Sequence, residues 1–423
     1  MHSLSVSERF SRVKIDPKWS FEEHRSTDRF THGYHRYPAK FVPHLVKKLI
    51  INYTNRTDVI ADVFAGCGTT LVESKLHGRK SIGIDINPIA QLITKAKTTP
   101  LDSKKIERQF DELNDCICTY RYNKNFVVVK HERIDYWFRK REKHKIAFLY
   151  SSILSIREKK LRIFFLCALS NILKTSSKWL QSSTKPQVDP EKKPLDPFIA
   201  FRQQVKQMLK KNNEFYWELE KKDSFLTESK IINGDARRTK LKANSINVII
   251  TSPPYVTSYE YADIHQLTGY WFEYIADIVP FRRKFIGTFY SNNKIETVKS
   301  PIAQNIVDKL KNKDKRMACE VANYFTDMYK VAKEMRRILK RNGKVCLVIG
   351  NTSLYDIKIK TAEVFVEYLL ELGFKVGTII KRIIPMKLIP TMRDKTTGRF
   401  TTKMNRNKKL VYPEEYIIIA RKK

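Results

Sequence analysis

Apolar positions along the chain fall into two alternating patterns. Short continuous runs rich in β-branched residues occur at Val59-Ile60-Ala61-Asp62-Val63-Phe64, from Ser81 to Ile86, from Lys230 to Asp235, at Ile246-Asn247-Val248-Ile249-Ile250-Thr251, and from Lys344 to Gly350. Runs of this length and composition predict strands buried on both faces. Between them, apolar residues recur at helical spacing. The segment opening at His35-Arg36-Tyr37-Pro38-Ala39-Lys40-Phe41-Val42-Pro43 predicts a helix through Leu45, Val46 and Leu49, and Leu71 to Leu76 predicts another. Tyr324, Met328, Val331, Met335 and Leu339 form one helical face expected to end near Asn342-Gly343, and Thr361 to Leu372 is a helix stopped at Gly373. Phe374 to Ile384 and Glu415 to Ala420 are expected as antiparallel strands at a sheet edge. Strand alternating with helix predicts an α/β fold, a Rossmann-like doubly wound sheet.

One long stretch interrupts that alternation. Residues 98–228 are dense in charge and aromatics, with helix-like segments Ile146–Ile156, Leu161–Leu173 and Phe198–Leu209. Leu166, Leu169, Ile172 and Leu173 predict a small helical core, and the proline-rich loop from Thr184 through Pro190, Pro194 and Pro197 breaks the segment in two. Three parts follow: 1–97, a mainly helical insert at 98–228 between the second and third strands, and 229–423. Residues 1–30 are polar and charged, expected as a partly ordered arm whose Arg9, Arg12 and Lys14 could touch phosphate. The chain shows no internal repeat.

The candidate chemistry lies at the strand ends. Ser252-Pro253-Pro254-Tyr255 follows the fourth run directly. Two prolines fix φ and contribute no N–H, so neighbouring carbonyls are left as acceptors. A Ser hydroxyl and a Pro carbonyl can accept the hydrogens of an exocyclic amine, whose lone pair is otherwise delocalised into its ring, and Tyr255 offers a face for a base swung out of its helix. An ordinary strand-ending turn is the plain alternative. After the first run, Gly66 and Gly68 let backbone approach a ligand, and Thr69 and Thr70 can cap the helix beyond. The loop lacks the third glycine of the dinucleotide fingerprint and matches no Walker loop. Asp85 ends the second run, where a doubly wound fold holds a ribose by its hydroxyls. Asp235 ends the third and could accept an adenine amino group.

Taken in order, His35 to Pro43, Asp62 to Thr70, Ile84 to Pro88, Asn233 to Asp235 and Thr251 to Tyr255 resemble the motifs of the S-adenosylmethionine-dependent amino methyltransferases of DNA, most closely the cytosine-N4 branch. The resemblance covers residues 30–97 and 229–351. It implies the class I methyltransferase sheet, S-adenosyl-L-methionine as cofactor, and Ser252, Pro253, Pro254 and Tyr255 as the catalytic motif. It places Tyr37 and Pro38 over the methionine moiety, Asp62, Phe64, Gly66, Gly68 and Thr69 in the cofactor loop, Asp85 on the ribose and Asp235 on the adenine. Val63 stands where the family has proline, a departure that leaves Phe64 placed. The long insert is a second departure, because target-recognition segments commonly lie beside or after the catalytic motif.

Composition agrees with a nucleic-acid substrate. In 423 residues, 81 Lys and Arg stand against 44 Asp and Glu, a formal charge of +37, which makes a phosphate backbone the natural partner. No apolar run is long enough to span a membrane, and Met1-His2-Ser3-Leu4-Ser5 begins no signal peptide. Cysteines at 67, 116, 118, 167, 319 and 346 read as free thiols in a reducing cytoplasm and compose no metal site. No Cys follows a Pro, which excludes the thiolate chemistry of carbon-5 cytosine methylation. The aromatic segment Tyr259 to Phe272, with His265, is a candidate for base or strand contacts. The basic stretches Arg282–Lys313 and Met392–Lys409 are candidate backbone-gripping loops. The expected function is methylation of cytosine N4 in double-stranded DNA on a flipped base, beside a cognate restriction endonuclease. Adenine-N6 methylation, RNA methylation and a catalytically silent nucleic-acid-binding protein are the alternatives.

Overall fold

The computed structural model describes the chain except residues 1–3, 24–25, 123–128, 257–259, 289–297, 385–391, 395, 397–400, 402–403 and 411–413. Seven strands build one sheet: β1 (Val59–Asp62), β2 (Lys80–Asp85), β3 (Ser229–Asn233), β4 (Ile246–Thr251), β5 (Leu339–Ile349), β6 (Phe374–Ile383) and β7 (Glu414–Lys422), in the order β3-β2-β1-β4-β5-β7-β6. The pairs β3-β2, β2-β1, β1-β4 and β4-β5 are parallel, and β7 runs antiparallel to both of its neighbours. The strand order reverses between β1 and β4, so the crevice beyond their carboxyl ends is where such a sheet takes a ligand.

Helices cover both faces. Pro43–Tyr53 packs Leu45, Val46, Leu49 and Ile50 against Ile60, Val248 and Ile250, while Lys315–Ile338 and Thr361–Glu371 cover the opposite face through Phe325, Met328, Met335 and Phe365. The long helix ends at Ile338, earlier than its apolar spacing suggests. Leu339 already pairs with Ile246, and Asn342, at φ 64°, lies where the β4-β5 register shifts, so Asn342-Gly343 marks an irregularity inside β5 and not a helix end.

Two other expectations are corrected. β7 is interior, between β5 and β6, and of the two only β6 lies at an edge. That edge is covered by the N-terminal segment, which docks: Asp16 N–H donates to the Lys381 carbonyl at 2.8 Å, Phe10 packs edge-on against Tyr416 and Trp19 is buried. An edge strand left bare would offer its backbone to other chains, and this segment occupies it. The basic stretch 282–313 is likewise not one loop, since Pro301–Lys311 is a helix capped by Ser300. In 392–409, Met392–Asp394 pairs antiparallel with Lys408–Leu410, and most residues between lie outside those described.

The stretch 98–228 is helical: Ser103–Cys118, Glu132–Trp137, Lys140–Leu154, Lys159–Ile172 and Pro197–Lys221. The last runs far past Leu209, because Phe215 and Leu219 continue its apolar stripe onto Val72 and Leu76. Its core is not a small separate one. The same cluster takes in Tyr34 and Tyr37, Ile89 and Ile93 of helix Pro88–Thr98, and Tyr270 and Trp271. The proline-rich loop is ordered, with Trp179 stacked on Trp137 and its indole N–H donating to the Lys185 carbonyl at 2.9 Å. No helix among the described residues is long and apolar enough to cross a membrane.

Sequence pattern gave no warning of Glu73, buried in helix Thr69–Leu76. Its carboxylate accepts from Arg29 at 2.9 and 3.0 Å and from His32 Nε2 at 2.9 Å. Burial opposes its charge, but these partners prevail and hold it down at about 2, while burial keeps the His32 imidazole below its ordinary value. The cluster ties the segment leading to Tyr37 onto the helix after the cofactor loop. Glu73→Ala would strand Arg29 and His32, and is expected to cost about 3 kcal/mol in urea unfolding; a loss below about 1 kcal/mol would contradict the clamp.

Candidate functional site

β1, β2, β3 and β4 deliver their last residues to one edge, and a cavity of about 880 Å³, open space included, lies there. Nine of the thirteen expected site residues line it: Tyr37, Asp62, Phe64, Gly66, Thr69, Asp85, Asp235, Ser252 and Pro254. Gly66 and Ser252 therefore face common space. Pro38, Gly68, Pro253 and Tyr255 are not among the lining residues.

The loop after β1 is shaped by its glycines. Gly66 has φ +50°, and a Cβ there would meet the Tyr37 ring at 3.4 Å. Gly68, at φ +78° just before helix Thr69–Leu76, would drive a Cβ to 2.6 Å from Thr94 Cγ2, so it shapes the loop without facing the cavity. Thr94 Oγ1 donates to the Gly66 carbonyl at 3.0 Å.

Asp62 holds this loop to the end of β4. One carboxylate oxygen accepts from Phe64 N–H at 3.1 Å and Thr251 Oγ1 at 2.6 Å; the other accepts from Thr70 Oγ1 at 2.6 Å. Burial pushes its carboxyl upward, and the three donors pull it back. Asp85 accepts from Gly66 N–H and Asn87 N–H, both at 2.8 Å. Its burial, reinforced by the Asp62 charge, raises it to about 6. Asp235 is bracketed by Arg237, whose Nη2 lies 2.7 Å from Oδ2; Arg237 also reaches Asp327 at 2.8 Å and the Lys284 carbonyl at 3.1 Å.

In the segment Ser252–Tyr255, the Pro254 carbonyl accepts from the Tyr324 hydroxyl at 2.9 Å, which engages one of the two proline oxygens. The Tyr255 hydroxyl donates to Glu415 Oε2 at 2.7 Å. His265 is corrected from a strand-contact candidate to a structural group. It is buried, held near about 4 by that burial, bonded at Nδ1 to the Tyr261 carbonyl, and its ring lies 4.9 Å from Tyr37. Also in the wall are Ile86 and Ala236, which sequence reasoning missed, Phe41 and Tyr261, which lie within the segments from His35 to Pro43 and from Tyr259 to Phe272 singled out from the sequence, and Lys284-Phe285-Ile286, from the basic stretch expected to grip the DNA backbone. Ile86 and Ala236 directly follow expected ligands and could have been found by adjacency; nothing in the local sequence marks 284–286 as wall.

The model of the DNA methylase family, N6/N4 type, matches residues 7–96 and 246–423. This chain belongs to that family. The unmatched stretch holds the helical insert and β3. The methylase is 27% identical to the type II methyltransferase M.MvaI of Kocuria varians over 88% of each chain. It is 36% identical to M.MjaII of Methanocaldococcus jannaschii over 26% of this chain and 21% of that one. Among solved structures, the rRNA methyltransferase aviRa from Streptomyces viridochromogenes aligns over 95% of this chain and 96% of its own at 7% identity, with a TM-score of 0.37.

As a member of this family, the methylase acts on DNA and uses S-adenosyl-L-methionine. The cavity suits that cofactor: Asp85, whose carboxylate accepts backbone N–H groups of Gly66 and Asn87, lines it, and Phe64, Tyr37 and Tyr261 stand in its wall. The raised Asp85 value means that this group favours the fold in acid, a contribution lost as pH rises from the ordinary aspartate value, about 4, through about 6. Ribose hydroxyls donating to Asp85 would favour its charged form, so cofactor binding has the opposite sign. Calorimetric titration is expected to show S-adenosylmethionine affinity rising between about pH 5 and about pH 7, with Asp85→Asn flattening the profile. A wild-type profile already flat would remove Asp85 from the ribose.

Proposed function

We propose that this DNA methylase transfers the methyl group to the exocyclic N4 of cytosine in duplex DNA, on a base swung into the cavity. The observation that carries this reading is a neutral serine, Ser252, at the carboxyl end of β4, lining the same cavity as Gly66 and Asp85. S-adenosylmethionine, when bound, supplies the methyl group. Ser252 Oγ and the Pro253 carbonyl accept the two amine hydrogens and draw the nitrogen toward tetrahedral geometry. The Pro254 oxygen is already committed to Tyr324, which leaves the Pro253 oxygen for this role. Tyr255, which follows the lining Pro254 without itself standing in the wall, is assigned to hold the base by its ring once the base enters. Alignment of nitrogen and methyl carbon supplies the rate, with no covalent intermediate on the protein. A hydroxyl is a poor base, so the proton leaves after transfer, when the nitrogen has become cationic and acidic.

The charge of +37 supports a grip on phosphate, and the basic, aromatic insert at 98–228 supports a role in target recognition. Likeness to proteins named type II methyltransferases supports a companion restriction endonuclease.

The deciding experiment incubates the protein with methyl-labelled cofactor and mixed unmethylated DNA, then digests to nucleosides. Label is expected in N4-methylcytosine; label in N6-methyladenine would overturn the choice of base. Ser252→Ala should lower kcat at least roughly tenfold with the KM for cofactor unchanged, and Asp85→Ala should mainly raise that KM.

A further inference from the structure

Because β7 runs against its neighbours, it enters the sheet at the edge where β1, β2 and β4 end, and its first residues reach the site. Tyr416 pairs with Ile349, which sets Glu415 beside Gly350, and Glu415 pairs directly with Arg382 of β6. Arg382 is 1% exposed and Glu415 5%. Arg382 Nε donates to Glu415 Oε1 at 2.7 Å, and Nη1 donates to the Trp19 carbonyl at 3.0 Å. The other carboxylate oxygen takes the Tyr255 hydroxyl.

An ionised carboxylate only accepts, so the Tyr255 hydrogen must point at Glu415. The hydroxyl is thereby held on Glu415, and Tyr255 directly follows the cavity-lining Pro254. A second restraint is steric. A Cβ on Gly350 would lie 2.9 Å from Tyr255 Cε2 and 3.3 Å from Cζ, so the ring rests on bare backbone. A buried ion pair gives little net stability over apolar residues of similar size, which leaves its retention to be explained by position.

We propose that the Arg382–Glu415 pair is a positioning device for methyl transfer: it holds the Tyr255 hydroxyl and so seats the Tyr255 ring on Gly350, beside the cavity-lining Pro254. None of Gly350, Arg382 and Glu415 lines the cavity, so they act through Tyr255. The inference rests on the proposed role of that residue.

The test measures kcat on mixed unmethylated genomic DNA, KM for S-adenosylmethionine and melting temperature for the full chain, Tyr255→Phe, Glu415→Gln and the double variant. Each single change is expected to lower kcat roughly tenfold and leave the KM for cofactor unchanged. The double variant is expected to be no slower than the slower single, since both break one link. Losses that multiply, or a lowered melting temperature with wild-type kcat, would overturn the seat. Should Glu415→Gln fail to fold with Arg382 left uncompensated, Gly350→Ala replaces it: its Cβ displaces the ring, so kcat falls at constant KM, and a wild-type kcat overturns the seat. A wild-type chain that binds the cofactor and labels no DNA overturns the proposed function and the seat with it; an active wild type matched by all variants overturns the seat alone.

Discussion

The site depends on one buried carboxylate. Asp62 sits at the end of β1, and its oxygens bind the loop that follows, through Phe64 and Thr70, and the end of β4, through Thr251. A carboxylate without such donors would be costly at this depth. With them, it fixes the distance between the backbone expected to face the cofactor and the serine expected to face the amine. Thr251 precedes Ser252 directly, so any slack at Asp62 reaches Ser252 within one residue.

Sheet topology explains why the other groups collect around that point. Parallel β1, β2, β3 and β4 end on one edge and present Asp62, Asp85, Asp235 and Ser252 there. Antiparallel β7 begins on the same edge and brings Glu415 to Tyr255. The helical insert is part of this construction, because its core includes Tyr37, whose ring packs over Gly66 and against His265. A segment that replaces a short crossover thus braces the wall of the cavity from behind.

Much of this was legible from the chain alone. Buried parallel strands read as continuous apolar runs, and four of the five predicted ones stand within about two residues of their expected ends, with Ile246–Thr251 unchanged. The fifth, β5, starts earlier because Leu339 looks like the last knob of a helix until its pairing with Ile246 is known. The turn after β1 was legible from its glycines, since Gly66 and Gly68 both stand at positive φ, and Asp62 and Asp85 stand at strand ends beside the cavity. What stayed hidden was long-range pairing: Glu73 with His32, Glu415 with Arg382 and Tyr255, and Lys284-Phe285-Ile286 in the cavity wall. Each joins segments far apart in sequence, where local periodicity carries no information. The docked N-terminal segment was missed for the same reason, since Phe10 and Trp19 are isolated apolar residues in polar surroundings and reveal their partners only once β6 is an edge.

Asp62→Asn tests the central claim most directly, because an amide cannot accept from all three donors at once. In a variant that keeps the wild-type circular dichroism spectrum, cofactor affinity and the single-turnover rate of methyl transfer at saturating cofactor should be measured side by side. Both are predicted to fall, since one carboxylate holds the loop and the strand. Weaker cofactor binding with an unchanged transfer rate would show that the loop and the serine are placed independently, and would contradict the account.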